Sequence, residues 1–183
     1  QAEHSEECLT ANADGDELIF VHSGEGTLYS PCGVLPFYPQ DYLYIPKALP
    51  HYWELKKPAQ FLILEARSSI DIPSLYRHPS GQLKMDAPYS HRDFREPQWI
   101  ESKNKPLHKS LIVKRLSRLT AFEMTHSPFD VVGWDGYVWP FAFPIRAFQP
   151  KTGAIHLPPS IHTTFPGGNF LVCSFVPRVI DFH

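Results

Sequence analysis

The sequence has no apolar run approaching the roughly 20 residues that a membrane-spanning helix needs. Its polar start, Gln1-Ala2-Glu3-His4-Ser5-Glu6-Glu7, does not read as a signal peptide. Neither sign of charge dominates: 17 Lys and Arg stand against 19 Asp and Glu, for a formal net charge of -2. No field strong enough to gather nucleic acid or an anionic membrane follows, so neither is an expected partner; a small neutral or acidic ligand fits better. Cysteine is scarce as well. Cys8, Cys32 and Cys173 are odd in number, widely spaced and without a Cys-x-x-Cys, which argues against a disulfide framework and against a zinc ribbon. The expected compartment is the reducing cytosol. There is no short internal repeat and no low-complexity tract.

What the chain does have is enough apolar material for a real core: 183 residues, 43% hydrophobic and 14% aromatic, as one large domain or two small ones. Nineteen prolines and ten glycines interrupt it every few residues, which forbids long helices and favours short strands joined by turns. Strands are predicted at 17–21, 26–30, 33–38, 41–45, 51–54 and 61–66, then at 110–116, 119–125, 137–143, 154–157 and 169–177. In the sixth of these, alternation turns Leu62, Leu64 and Ala66 inward and Glu65 outward. Between the two sets, 68–98 reads as a Pro-, Ser- and charge-rich excursion of functional or interface character. The basic residues Lys103, Lys105, Lys109, Lys114, Arg115 and Arg118 read first as a solvated face protecting a sheet edge. Anion steering would require them to converge on a pocket. Trp134, Tyr137, Trp139 and Phe141 are read as core. Since residue 1 is not Met and an apolar run directly precedes the end at His183, the chain is expected to be a piece of something longer.

Asp16-Glu17-Leu18-Ile19-Phe20-Val21 leads into Gly24-Glu25-Gly26, and Tyr38-Pro39-Gln40-Asp41 leads through Tyr44-Ile45-Pro46 to His51. This resembles the two motifs of a cupin barrel, in which His-x-His, a spacer and Glu precede a Gly-x-Gly turn and a last His follows in the second motif. Here the His-x-His positions hold Thr10, Ala11, Asn12 and Ala13, none of them an imidazole. Glu17 and His51 alone would leave a divalent ion mostly to solvent. They are expected to hydrogen-bond inside the barrel mouth, with no metal ligand in this chain and the barrel as scaffold.

The block His126-Ser127-Pro128-Phe129-Asp130-Val131-Val132-Gly133-Trp134-Asp135-Gly136, with the following residues to Phe148, resembles the Ser-Pro-Phe-Asn/Asp-Val-Val-x-Trp-x-Gly block of the homogentisate 1,2-dioxygenase family. Asn12-Ala13-Asp14-Gly15-Asp16-Glu17, Pro158-Pro159-Ser160-Ile161 and the 170–178 strand resemble further family stretches in the same order. The resemblance implies an all-β, cupin-like (RmlC-like jelly-roll) barrel or sandwich with part of a second β-rich half. Residues 1–67 would form the degenerate barrel, 68–109 a connecting excursion, and 110–183 the strands leading towards an iron-binding half. It implies cleavage of a small aromatic acid by O2 in tyrosine and phenylalanine catabolism, Fe(II) in the full-length protein with ligands beyond His183, and a trimer-based homo-oligomer. It also implies a role for His156, in Ala154-Ile155-His156-Leu157, beside the phenolic oxygen of the substrate. An imidazole titrates near neutrality and can take and return a phenolic proton. His162, Thr163 and Thr164 are read as pocket wall or, at least equally, as a turn or strand end. The alternatives are a non-catalytic cupin that kept its shape and lost its metal, and a metallo-cupin gathering His51, His156 and His162, for which the ligand spacing is absent.

Overall fold

The computed structural model describes residues 8–100, 110–131, 136, 138–149 and 159–175. It is built from ten strands, turns and short 3-10 segments, with no α-helix among the described residues: β1 (Leu9–Asn12), β2 (Asp16–Ser30), β3 (Gly33–Phe37), β4 (Asp41–Ile45), β5 (Tyr52–Ala66), β6 (Ser110–Arg115), β7 (Arg118–Glu123), β8 (Phe141–Pro144), β9 (Thr163–Pro166) and β10 (Leu171–Cys173). The class is all-β and cupin-like, as the sequence implied. The predicted strand at 154–157 lies outside the described residues.

A curled five-stranded sheet is organised around β2. One edge of β2 pairs antiparallel with β5, from Asp16 opposite Ala66 to Tyr29 opposite Tyr52. Its other edge pairs first with β4 and then with β3, and β8 adds beyond β4. A second sheet has the order β1-β6-β7, with β1 parallel to β6. Thr10 of β1 and His51, just before β5, exchange backbone hydrogen bonds of 2.8 and 2.9 Å and so tie the two sheets together.

A turn was expected at Gly24-Glu25-Gly26, but the chain there continues as one strand. Gly24 takes φ +91, the register slips between Val21 and Gly26, and β5 stays paired on both sides of the slip. A Cβ at Gly24 would lie 2.5 Å from the Ala59 Cα. The glycine therefore makes a bulge that bends the strand without reversing it. Pro58 and Ala59, which have no register partner on β2, sit opposite this bulge, where a missing N–H costs no ladder bond.

Alternation along β2 and β4 separates two cores. Ile19, Val21, Leu43 and Ile45 pack with Leu28, Leu35, Phe37 and Ala142 on the inner face. Leu18, Tyr42 and Tyr44 point the other way, onto Ile70, Tyr76 and Tyr89 of the 68–98 stretch and onto Phe143, Phe148 and Phe165. Full burial of rings such as Phe143 and Phe165 contributes about 1.5–3 kcal/mol each. The 68–98 stretch thus lies over the outer face of the sheet. It is clipped there by paired backbone hydrogen bonds between Arg95 and Ala142, 2.8 and 2.9 Å, and by an ion pair from Arg95 to the buried Asp41.

This cover changes the reading of β5. Leu64 and Ala66 face the outer core, as expected, while Leu62 is 56% exposed. Glu65 faces outward and is exposed, as expected, yet it also stands opposite Glu17 in register and bonds with β1 and β6. Both faces of this strand are partly covered, so alternation alone could not say which was the wet one.

Candidate functional site

Two strand pairings bring four polar side chains to the mouth of the barrel. Asn12, at the end of β1, is the register partner of Lys114 on β6, and Glu17 on β2 is the partner of Glu65 on β5. Like charges directly opposite on paired strands repel, and something must offset them. Asn12 does so. Its Nδ2 lies 2.8 Å from Glu17 Oε1 and 2.8 Å from Glu65 Oε2. Carboxylates only accept, so the atom between them is the amide nitrogen, and both of its hydrogens are used. Asn12 Oδ1 meanwhile accepts the Asp14 N–H at 2.9 Å. The Lys114 ammonium closes the set by pairing with Glu65, holding that carboxyl below its ordinary range against the opposing effect of burial.

His51 is buried at the same mouth. Its Nδ1 is 3.0 Å from the Leu49 carbonyl, which can only accept, so Nδ1 carries the proton and Nε2 keeps its lone pair. The Thr10 hydroxyl sits 3.4 Å from Nε2. Burial pushes the imidazole below its ordinary value; the Leu49 carbonyl and the Glu17 carboxylate oppose this. Ile19, Trp53, Leu55, Phe61, Ile63 and Ile112 wall a cavity of about 320 Å³ above this polar floor, within the size range of small-molecule sites.

Glu17 and His51 thus occupy the barrel mouth, and the hydrogen bonds expected of them are present. Iron is the metal that the resemblance implies, and the described residues do not fit it. No group of three His, Cys, Asp or Glu side chains converges among them. Between Glu17 and Glu65 stands an amide aiming its donors at both carboxylates, with an ammonium beside it. In size and lining, an apolar-walled space over a hydrogen-bonding floor, this mouth has the form of a small-molecule cavity.

His156 lies outside the described residues, as do Trp134 and Tyr137. His162 closes the 3-10 turn Pro159–His162 and is buried with its ring against Phe175, while Thr163 and Thr164 open β9. The strand-end reading describes them. The Tyr76 and Tyr89 hydroxyls donate to the carbonyls of Ile161 and Thr164 at 3.0 and 2.9 Å, pinning this segment to the excursion. Sequence reasoning gave no site role to Asn12, Glu65 or Lys114. Asn12 entered only as a position without an imidazole and as the start of the 12–17 family stretch. Nothing in the sequence announces the pairing of β1 with a strand about a hundred residues away.

A curled antiparallel sheet closed by a short parallel-paired strand, with a polar mouth, makes this a cupin-like β-barrel protein. A family described as homogentisate 1,2-dioxygenase N-terminal matches residues 1–145, and the chain belongs to that family. It is 39% identical over 172 residues to a protein of Saccharolobus solfataricus whose name gives it provisionally as a dioxygenase, covering 94% of this chain and 44% of that protein. It is 32% identical over 165 residues to a homogentisate 1,2-dioxygenase of Pseudomonas syringae pv. tomato, covering 85% of this chain and 36% of the enzyme. To the Caenorhabditis elegans homogentisate 1,2-dioxygenase it is 29% identical over 156 residues, 83% of this chain and 34% of the enzyme. The chain therefore spans less than half the length of the curated relatives it matches. No helix among the described residues is long and apolar enough to cross a membrane.

Proposed function

We propose that this chain is the amino-terminal portion of an Fe(II)- and O2-dependent dioxygenase that opens the ring of homogentisate or a similar hydroquinone acid in tyrosine and phenylalanine catabolism. The observation that carries the reading is the family match over residues 1–145. The chemistry of the barrel mouth supports a division of labour: its two carboxylates are engaged by the Asn12 amide and the Lys114 ammonium, and in this reading the iron that the reaction requires is held elsewhere in the full-length protein. In this reading the whole protein is a trimer-based cytosolic oligomer.

The contribution of this portion is scaffold, pocket wall and one titrating group. His156 takes the phenolic proton of the substrate and returns it, a task for which an imidazole has the right basicity. Proton transfer by a positioned side chain contributes on the order of 10²–10⁴ in rate. His156→Ala in the full-length protein is accordingly expected to lower kcat on homogentisate by at least about 100-fold while iron content per chain stays at the wild-type level. Wild-type turnover in the variant would remove His156 from the reaction.

A second reading is favoured by the cavity itself. An apolar-walled space of about 320 Å³ over a hydrogen-bonding floor is what a metal-free cupin would use to hold a small ligand without transforming it. Ring-cleaving activity of the full-length protein would decide against it.

A further inference from the structure

A second, more polar cavity has Glu65, which also bonds with Asn12 and Lys114 of the barrel mouth, in its lining. It has a volume of about 560 Å³ and is lined by Lys47, Arg67, Arg115, Asp14, Glu65 and Ser117, among others. The cations come from three separate segments: Lys47 follows β4, Arg67 follows β5, and Arg115 ends β6. Successive residues of a strand point to opposite faces, so Lys114 goes to Glu65 at the barrel mouth and Arg115 is left to this cavity.

The carboxylates on the cavity wall are already engaged. Asp14 accepts the backbone N–H groups of Leu116 and Ser117 at 2.5 and 2.9 Å, which caps the β6–β7 turn where both residues are left-handed, at φ 51 and 59. Those two N–H groups hold the Asp14 carboxyl below its ordinary range. Glu65 is taken by Lys114 and Asn12. Lys47, Arg67 and Arg115 form no ion pair with a protein carboxylate among the described residues. Three cations against two carboxylates leave this wall with a formal surplus of one positive charge, and because protein donors already occupy the Asp14 and Glu65 oxygens, the ammonium and guanidinium donors are what the cavity offers to an anion. Two guanidinium groups also offer the planar forks that match carboxylate and phosphate oxygens in pairs.

We propose that the space between Lys47, Arg67 and Arg115 is a binding site for a small multiply charged anion carrying carboxylate or phosphate groups. Of the basic residues between 103 and 118 that the structure describes, Arg115 lines this cavity, and Lys47 and Arg67 join it from other segments. The site is separate from the apolar cavity at the barrel mouth and does not depend on the dioxygenase reading.

The test is calorimetric titration of the full-length protein with citrate and, separately, with pyrophosphate in low-chloride buffer. Saturable binding at one site per chain with a dissociation constant below about 1 mM is expected. Losing one charge-assisted contact at a partly exposed site weakens binding about tenfold, so Arg67→Gln and Arg115→Gln should each do so. Lys56→Gln, an exposed change elsewhere on β5, should leave the affinity unchanged. Tighter binding of citrate marks a polycarboxylate as the natural ligand, and tighter binding of pyrophosphate marks a phosphate compound. Absence of saturable binding of both anions to the wild-type protein would overturn the proposal. So would binding that both arginine variants retain at full strength.

Discussion

Asn12→Asp is the most informative single change at the barrel mouth, because it keeps the shape of the side chain and reverses what it offers. Two donated hydrogen bonds of 2.8 Å, to Glu17 and to Glu65, become contacts between acceptors, while the acceptor that serves the Asp14 N–H is retained. Hydrogen bonds to charged groups contribute about 1.5–3 kcal/mol each; the partial exposure of both carboxylates argues for the lower end, so about 3 kcal/mol is lost. A third negative charge roughly 4 Å from two others adds about 1 kcal/mol per pair in a solvent-like dielectric. The variant should therefore be about 3–5 kcal/mol less stable at pH 7.5, a fall in Tm of roughly 10 °C for a chain of this size. Crowded carboxylates share protons at raised pKa values, so part of the loss should return by pH 5. Urea denaturation at the two pH values measures both effects. A loss below about 1 kcal/mol at pH 7.5, or one that grows on acidification, would refute the view that Asn12 holds the two carboxylates together.

Two further changes probe the same framework. The imidazole of His51 is depressed on folding, so its contribution to stability is complete above its ordinary value of about 6.5, shrinks as pH falls below it, and is gone once pH passes through the folded value. His51→Gln should flatten the stability profile below about pH 6.5, and an unchanged slope there would assign it to other groups. Arg95→Met removes the partner of Asp41, whose side chain is only 2% exposed, while that of Arg95 is 35% exposed. With allowance for that exposure it should cost about 2–3 kcal/mol in chemical denaturation, against no measurable change if the clip is ornamental.

Much of the fold was legible because it is written in local pattern. The bounds of β4 coincide with the strand expected at 41–45, and β3, β6 and β7 lie within a residue or two of their expected spans. What was not legible depends on pairing across distance. β2 was expected as two strands because a glycine pair looks the same in sequence whether it turns the chain or bulges it; only the continuous partner β5 decides. β1 and β9 are four residues each and too short to show a period. The site divides in the same way. Glu17 and His51 could be picked out by motif spacing, whereas Asn12, Glu65 and Lys114 acquire their roles only when β1 lies against β6 and β2 against β5.

That division bears on what became of the cupin metal centre. A carboxylate pair facing across two strands is a site that invites a cation, and in this barrel the cation is supplied by the protein itself. Lys114 brings a full positive charge to Glu65, and Asn12 spends both amide hydrogens on the two acids. One ammonium and two amide hydrogens thus meet two carboxylates, and the geometry of the mouth comes from the same strand pairings that close the barrel. An amide and an ammonium at this mouth therefore tie β1, β2, β5 and β6 together through hydrogen bonds and one ion pair. A polar centre whose members hold one another in this way is ordered by the fold itself, which is what a rigid cavity wall requires.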